Sequence, residues 1–234
     1  NQRADEATQR AIGQKNGAMF KNFAPALGAT QAMAPAIEAW YDELLALLNR
    51  HFAKHRFLLG DAPTLADFGF IGPFYAHLAR DPYPMIKMQR EAANVYQWVT
   101  RMRILDELQF GDLIANDEIS DEINQILSRM FREQFPALRD TVAQLEQWAI
   151  ANPDTAIPRM IGQHNFIIGD SEGQRMVNPF NQWMLQRPLD FYGTLQGEEK
   201  SKVVHWLAQI DGADAIDIEI NKPLARVNNR LVFA

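Results

Sequence analysis

Five histidines, 29 carboxylates and no cysteine set the chemistry open to this chain of 234 residues. His51 and His55 stand four apart in a run of helical periodicity, a spacing that puts two imidazoles on one face where they can share a metal ion. The run His51-Phe52-Ala53-Lys54-His55 lacks the glutamate that follows the first histidine in the helical zinc-protease motif, and no third ligand is near it in sequence. The pair is therefore expected to face solvent, and no metal site is expected. His77 lies in an apolar run and reads as a hydrogen-bonded core or interface histidine, whereas His164 and His205 have no nucleophile beside them. Without cysteine there is no thiolate nucleophile, thiolate zinc site or disulfide, and no catalytic residue is expected within the chain. Gly169-Asp170-Ser171-Glu172-Gly173 lacks the Lys-Ser/Thr ending of a phosphate loop and reads as a hairpin turn. Asp211, Asp214, Asp217 and Glu219 do not follow the calcium-loop order and read as a solvated face.

The most specific pattern is Gly60-Asp61-Ala62-Pro63-Thr64-Leu65-Ala66-Asp67. Glycine and proline end the preceding periodicity, and Thr64 is placed to cap a new helix. Asp67, three residues on, can reach back to the Thr64 amide, which makes the pair a reciprocal capping box with a structural role. Leu65 and Phe68 are expected to face inward. The apolar Phe70, Ile71, Phe74, Tyr75 and Leu78 that follow predict a helix buried on several sides, with a local bend or a loose first turn at Pro73.

The elements around this motif are mainly helical. A helix is predicted from Asp5 to about Leu27, where Gly13 and Gly17, four apart, would admit a close neighbour or loosen the helix. Ala36 to Phe52 is amphipathic, Asp81-Pro82-Tyr83-Pro84 reads as a stop, and a further helix covers Ala92 to Met102. Residues 106 to 118 read as a polar connector before helices at Glu122 to Phe131 and Pro136 to Ala149, the latter with Leu138, Val142, Leu145 and Trp148 on one stripe. A small β-hairpin is expected near 164–177, then helices opened by Pro179 and restarted by Pro188, one from Glu198 to Ile210, and an extended segment or hairpin between Ile216 and Phe233.

With 47% hydrophobic residues the chain can bury a large core, and its net charge of −6 gives no general attraction to nucleic acid or to an anionic membrane surface. Neither nucleic acid nor a membrane is expected as a partner. Apolar runs stop short of the roughly 18 residues a membrane helix needs, and the opening residues lack the apolar core of a signal peptide, so the expected location is the cytoplasm. The chain begins at Asn1 rather than methionine, which points to processing or to a missing upstream portion.

The aromatic-rich approach, Gly60-Asp61, Thr64, Asp67 and the apolar helix behind them resemble the C-terminal helical domain of the glutathione S-transferase superfamily. The resemblance implies a helical bundle over residues 1–105 and an extension, mainly helical, over 106–234. It implies that glutathione, the co-substrate of the parent protein, is held by an N-terminal thioredoxin-like domain absent from these residues, and that this chain alone holds no cofactor. It also implies that the first helix forms the wall of a site for a small hydrophobic electrophile, which singles out Lys15, Met19, Phe20 and Phe23, although such a stripe is more often ordinary core. A homodimer is the implied assembly. The rival expectation is a protein-interaction or dimerisation module without catalysis on the same scaffold.

Overall fold

The computed structural model describes residues 4–234, so the expected domain start at residue 1 lies outside them. The fold is mainly α: among the described residues there are nine α-helices and two antiparallel strand pairs. It falls into two compact units, residues 38–129 and residues 1–37 with 130–234. These units follow packing within the chain, whereas the expected border at 105/106 marks where the family resemblance ends, so the two divisions answer different questions.

The 38–129 unit holds most of α2 (Ala34–Phe52), then α3 (Leu65–Pro73), α4 (Pro82–Glu91), α5 (Ala93–Arg101) and the start of α6 (Asp121–Glu133). Its core gathers around Trp98, which is fully buried with Leu48, Phe57, Met88 and Val95. The indole stacks on Phe52 at 5.0 Å and meets the Phe74 ring edge-on at 5.6 Å. Asn94 ties α5 to α2, its amide and side chain bonding Asn49 at 2.9 and 3.1 Å.

Asp67, at the third position of α3, is fully buried. Its Oδ2 accepts the Thr64 amide at 3.0 Å and the Thr64 hydroxyl at 3.1 Å. Its Oδ1 accepts the Leu58 amide at 3.0 Å and the Trp98 indole N–H at 2.9 Å. The reciprocal contact of the Thr64 side chain with the Asp67 backbone is present without completing a full hydrogen bond. This inward carboxylate sets the rotation of α3: Phe70, Ile71 and Phe74 follow it by three, four and seven residues and share its face. Leu65 and Phe68 stand on other faces, and at 89% and 55% exposed they correct the expectation that they point inward. α3 therefore buries one face, not several.

Pro73 has no N–H to continue the ladder, and the chain widens into a π-helical turn over Phe74–Leu78, closed by Ala79 N–H to Phe74 O at 2.8 Å. Beyond it, Asp81-Pro82-Tyr83-Pro84 starts a helix as well as stopping one. Asp81 is extended and Pro82 is the first residue of α4, where a missing N–H costs nothing because the first-turn amides have no helical acceptor.

Gly60 explains the glycine of the motif. At φ 130° it sits where an added Cβ would lie 2.7 Å from the Ile114 nitrogen, because the connector is bonded to this turn. Asp61 N–H reaches Asp112 O at 2.8 Å and Ile114 N–H reaches Leu59 O at 2.9 Å.

The other unit comprises α1 (Glu6–Phe23), a 3-10 turn at Ala24–Leu27, the end of α6, α7 (Phe135–Ala151), β1 (Ile161–Ile168), β2 (Ser171–Val177), α8 (Phe180–Thr194), α9 (Gly197–Gln209), β3 (Leu224–Val227) and β4 (Arg230–Phe233). The stripe on α7 serves two apolar clusters. Leu138 and Val142 pack with Leu185 and Ile218, while Leu145 packs with Ile161, Val177 and Leu224, with Trp148 and Trp183 against them. The β1–β2 hairpin pairs His164 with Arg175 and Ile168 with Ser171. Its two-residue turn opens on Gly169 at φ 56°, as tight hairpins prefer. The β3–β4 turn uses Asn228 and Asn229, both at positive φ. α8 runs on through Pro188 instead of restarting there; the carbonyl that Pro188 leaves free belongs to the exposed Met184, within reach of water.

Replacing Asp67 with alanine leaves the buried Leu58 amide and the buried Trp98 indole N–H without an acceptor, and the part-buried Thr64 amide as well. At about 1–3 kcal/mol for each orphaned group, the loss in unfolding free energy is expected to be about 3 kcal/mol or more. Thr64→Ala is expected to lose about 0.5–2 kcal/mol as an ordinary cap deletion. Urea unfolding of the three proteins measures both, and equal losses would show that Asp67 does not have this central role.

Candidate functional site

α1 begins at Asp5, whose carboxylate accepts the Thr8 amide at 2.8 Å and the Thr8 hydroxyl at 3.0 Å. The Thr8 backbone bond holds the Asp5 carboxyl below the usual carboxylate range. Along the helix, Lys15, Met19 and Phe23 recur every four residues and Phe20 stands beside them, so the four candidates share a broad stripe. No residue of α1 is buried: Met19 is 59% exposed, Phe20 69% and Phe23 45%. Nothing among the described residues lies within 4 Å of a Cβ added at Gly13 or Gly17, so neither glycine serves a close internal contact. The stripe is an open apolar surface with one cation, suited to an uncharged, flat or aliphatic ligand or to another apolar surface.

The histidines are placed differently from their sequence reading. His51 is fully buried, not solvent-facing. Its Nε2 lies 3.0 Å from the Phe57 carbonyl and must donate to it, so Nδ1, 2.8 Å from Ser120 Oγ, accepts from that hydroxyl. The ring is thus a neutral structural link from the end of α2 to the start of α6, where Lys54 also pairs with Glu122 at 2.9 Å. His55 lies beyond the last residue of α2, its ring centroid 5.1 Å from that of His51. His77 is exposed, 4.0 Å from Asp81, and is not a core group.

His164 is buried on β1. Arg175 Nε donates to its Nε2 at 3.0 Å, which places the ring proton on Nδ1. Nδ1 lies 3.3 Å from Asp140 Oδ2, an ion-pair distance without the alignment of a hydrogen bond. This Asp140–His164–Arg175 series was not legible in sequence, because its members come from α7 and from opposite hairpin strands. It has the carboxylate and imidazole of a proton relay, but its third member is a cation and not a nucleophile, so it orients charge and performs no acyl transfer. His205 is exposed and lies 3.0 Å from the Gln209 side-chain amide. Among the described residues no group of three or more His, Asp or Glu is arranged to hold a metal ion. No helix among them is long and apolar enough to cross a membrane.

The buried-carboxylate cap of α3 and the helices packed round it define a helical-bundle domain. Residues 18–106 match the family described as glutathione S-transferase, C-terminal domain, and this segment is a domain of that family. The match takes in α2 to α5 and, from the candidate stripe, Met19, Phe20 and Phe23 but not Lys15. Comparisons with curated proteins and with solved structures give no match.

Burial pushes both His51 and His164 below the ordinary histidine value of 6.5, with Arg175 adding to the effect at His164. In the unfolded chain each takes up a proton as pH falls through about 6.5, whereas in the fold each resists until lower pH. The unfolded state then binds more protons, and stability is expected to fall as pH drops from about 7 towards 5.5. Urea midpoints across that range test this: His51→Gln and His164→Gln together are expected to flatten the slope, and an unchanged slope would assign the acid sensitivity to other groups.

Proposed function

We propose that this chain is the helical part of a glutathione S-transferase-like protein, in which a thioredoxin-like domain outside these residues binds glutathione and activates its thiol. Residues 1–105 then supply the helical bundle and residues 106–234 an extension to it. The family match over residues 18–106 carries this reading. The chemistry is attack of a glutathione thiolate on a small hydrophobic electrophile, with the thiol pKa lowered by the other domain. Lys15, Met19, Phe20 and Phe23 form the wall against which the electrophile lies, a role that suits side chains left open to solvent in the chain by itself. Catalysis needs the thiolate site, so the 234 residues alone hold no cofactor and turn nothing over. The protein works in the cytoplasm as a homodimer.

A second reading uses the same observation. An open apolar stripe on α1 also fits a protein partner or a second copy, with the chain as an interaction module without catalysis.

The intact mass of the native gene product, followed by conjugation assays with a model aryl electrophile, separates the two. A longer product that conjugates glutathione is expected, and Met19→Ala with Phe20→Ala is expected to raise KM for the electrophile about tenfold or more while leaving KM for glutathione unchanged. Robust turnover by the 234 residues alone would overturn the assignment of roles. A native product without conjugation, whose self-association by light scattering is lost in the same variant, would favour the interaction module.

A further inference from the structure

A cleft of about 160 Å³ in the 38–129 unit is lined by Tyr75 and Ala79 near the π-helical turn, Tyr96 and Val99 of α5, and Arg80 and Arg103. Both guanidiniums lie over the Tyr75 ring, 5.8 Å from its centroid for Arg80 and 5.5 Å for Arg103. Among the described residues no carboxylate lines the cleft. Neither guanidinium has a hydrogen-bond or ion-pair partner among the described residues, whereas Arg101 nearby bonds the Arg56 carbonyl at 3.0 Å. Each arginine follows the end of a helical segment, where a cation is favoured by the free carbonyls. That accounts for either one singly. It does not account for two cations set over one tyrosine ring in a chain whose net charge is −6.

The geometry points to a binding site for a small planar molecule bearing an oxyanion, a carboxylate or a phosphate, distinct from the α1 stripe. The planar guanidinium forks match either oxyanion through paired N–H donors and stack on flat groups. Tyr75, 40% exposed, and the apolar Val99 offer the ring and the floor against which the organic part lies. An oxyanion held by both arginines places an opposite charge beside each of them.

Titration of the full chain with phenyl phosphate and with benzoate, followed by calorimetry, tests the site. Saturable binding of at least one is expected, with inorganic phosphate competing, and the tighter of the two identifies the oxyanion preferred. Arg80→Gln and Arg103→Gln, both at exposed positions and therefore expected to fold, should each weaken binding tenfold or more, while Arg90→Gln on the exposed side of α4 leaves it unchanged. Absence of saturable binding by either probe overturns the proposal. So does binding insensitive to Arg80 and Arg103, or binding weakened equally by Arg90→Gln, which would report only general surface charge.

Discussion

The 38–129 unit depends on one buried carboxylate. Removing Asp67 from water is unfavourable unless its oxygens find donors, and the fold brings it two backbone amides, a hydroxyl and an indole N–H. These donors come from the turn before α3, from the cap of α3 and from α5. A single side chain therefore fixes the start of one helix, the entry of the chain into it and the depth of the central tryptophan. The apolar contacts of Trp98 with Phe52 and Phe74 are then as much a consequence of this polar arrangement as a cause of the fold. Hydrophobic attraction has no direction, but four aligned hydrogen bonds do, and they select one register of α3 from the several that its apolar composition would allow.

The other unit is organised without such a centre. Its two apolar clusters are joined by α7, and its hairpins are specified by turn residues able to adopt positive φ. The Gln186 side chain completes the backbone bonding of Leu224, accepting its amide at 2.8 Å and donating to its carbonyl at 3.0 Å, so α8 takes the place of a third strand beside β3. Polar side chains here finish the edges of apolar packing, whereas Asp67 directs packing from inside.

Much of this was legible in the sequence where a local rule decides the outcome. Apolar spacing locates α2, α5, α6, α7 and α9, and a glycine turn between apolar runs places a hairpin near 164–177, which the fold extends back to Ile161. α4 leaves no such trace, because its prolines read as terminators although in the first turn of a helix proline is well accepted. Composition alone turns Leu65 and Phe68 inward because it carries no sign of the rotation that Asp67 imposes, and His51 reads as exposed because its partners, Phe57 and Ser120, come from other segments. The Asp140–His164–Arg175 series and the Tyr75 cleft escaped for the same reason. Helical and strand periods report local faces, while a site made by convergence of distant segments leaves no periodic trace.

α1 marks the boundary of what internal packing explains. An isolated helix of its length is marginal in water, and interior glycines such as Gly13 and Gly17 each cost about 1 kcal/mol relative to alanine. Against this stand one N-cap at Asp5 and an exposed Arg10–Glu6 pair at 3.7 Å, which together contribute no more than the glycines remove. The apolar side chains that would normally hold such a helix, Ile12, Met19, Phe20 and Phe23, meet water instead. The exposure of this stripe therefore also removes the usual support for its order, and a substrate or partner laid on it, as proposed, would contribute to its folding as well as to its function.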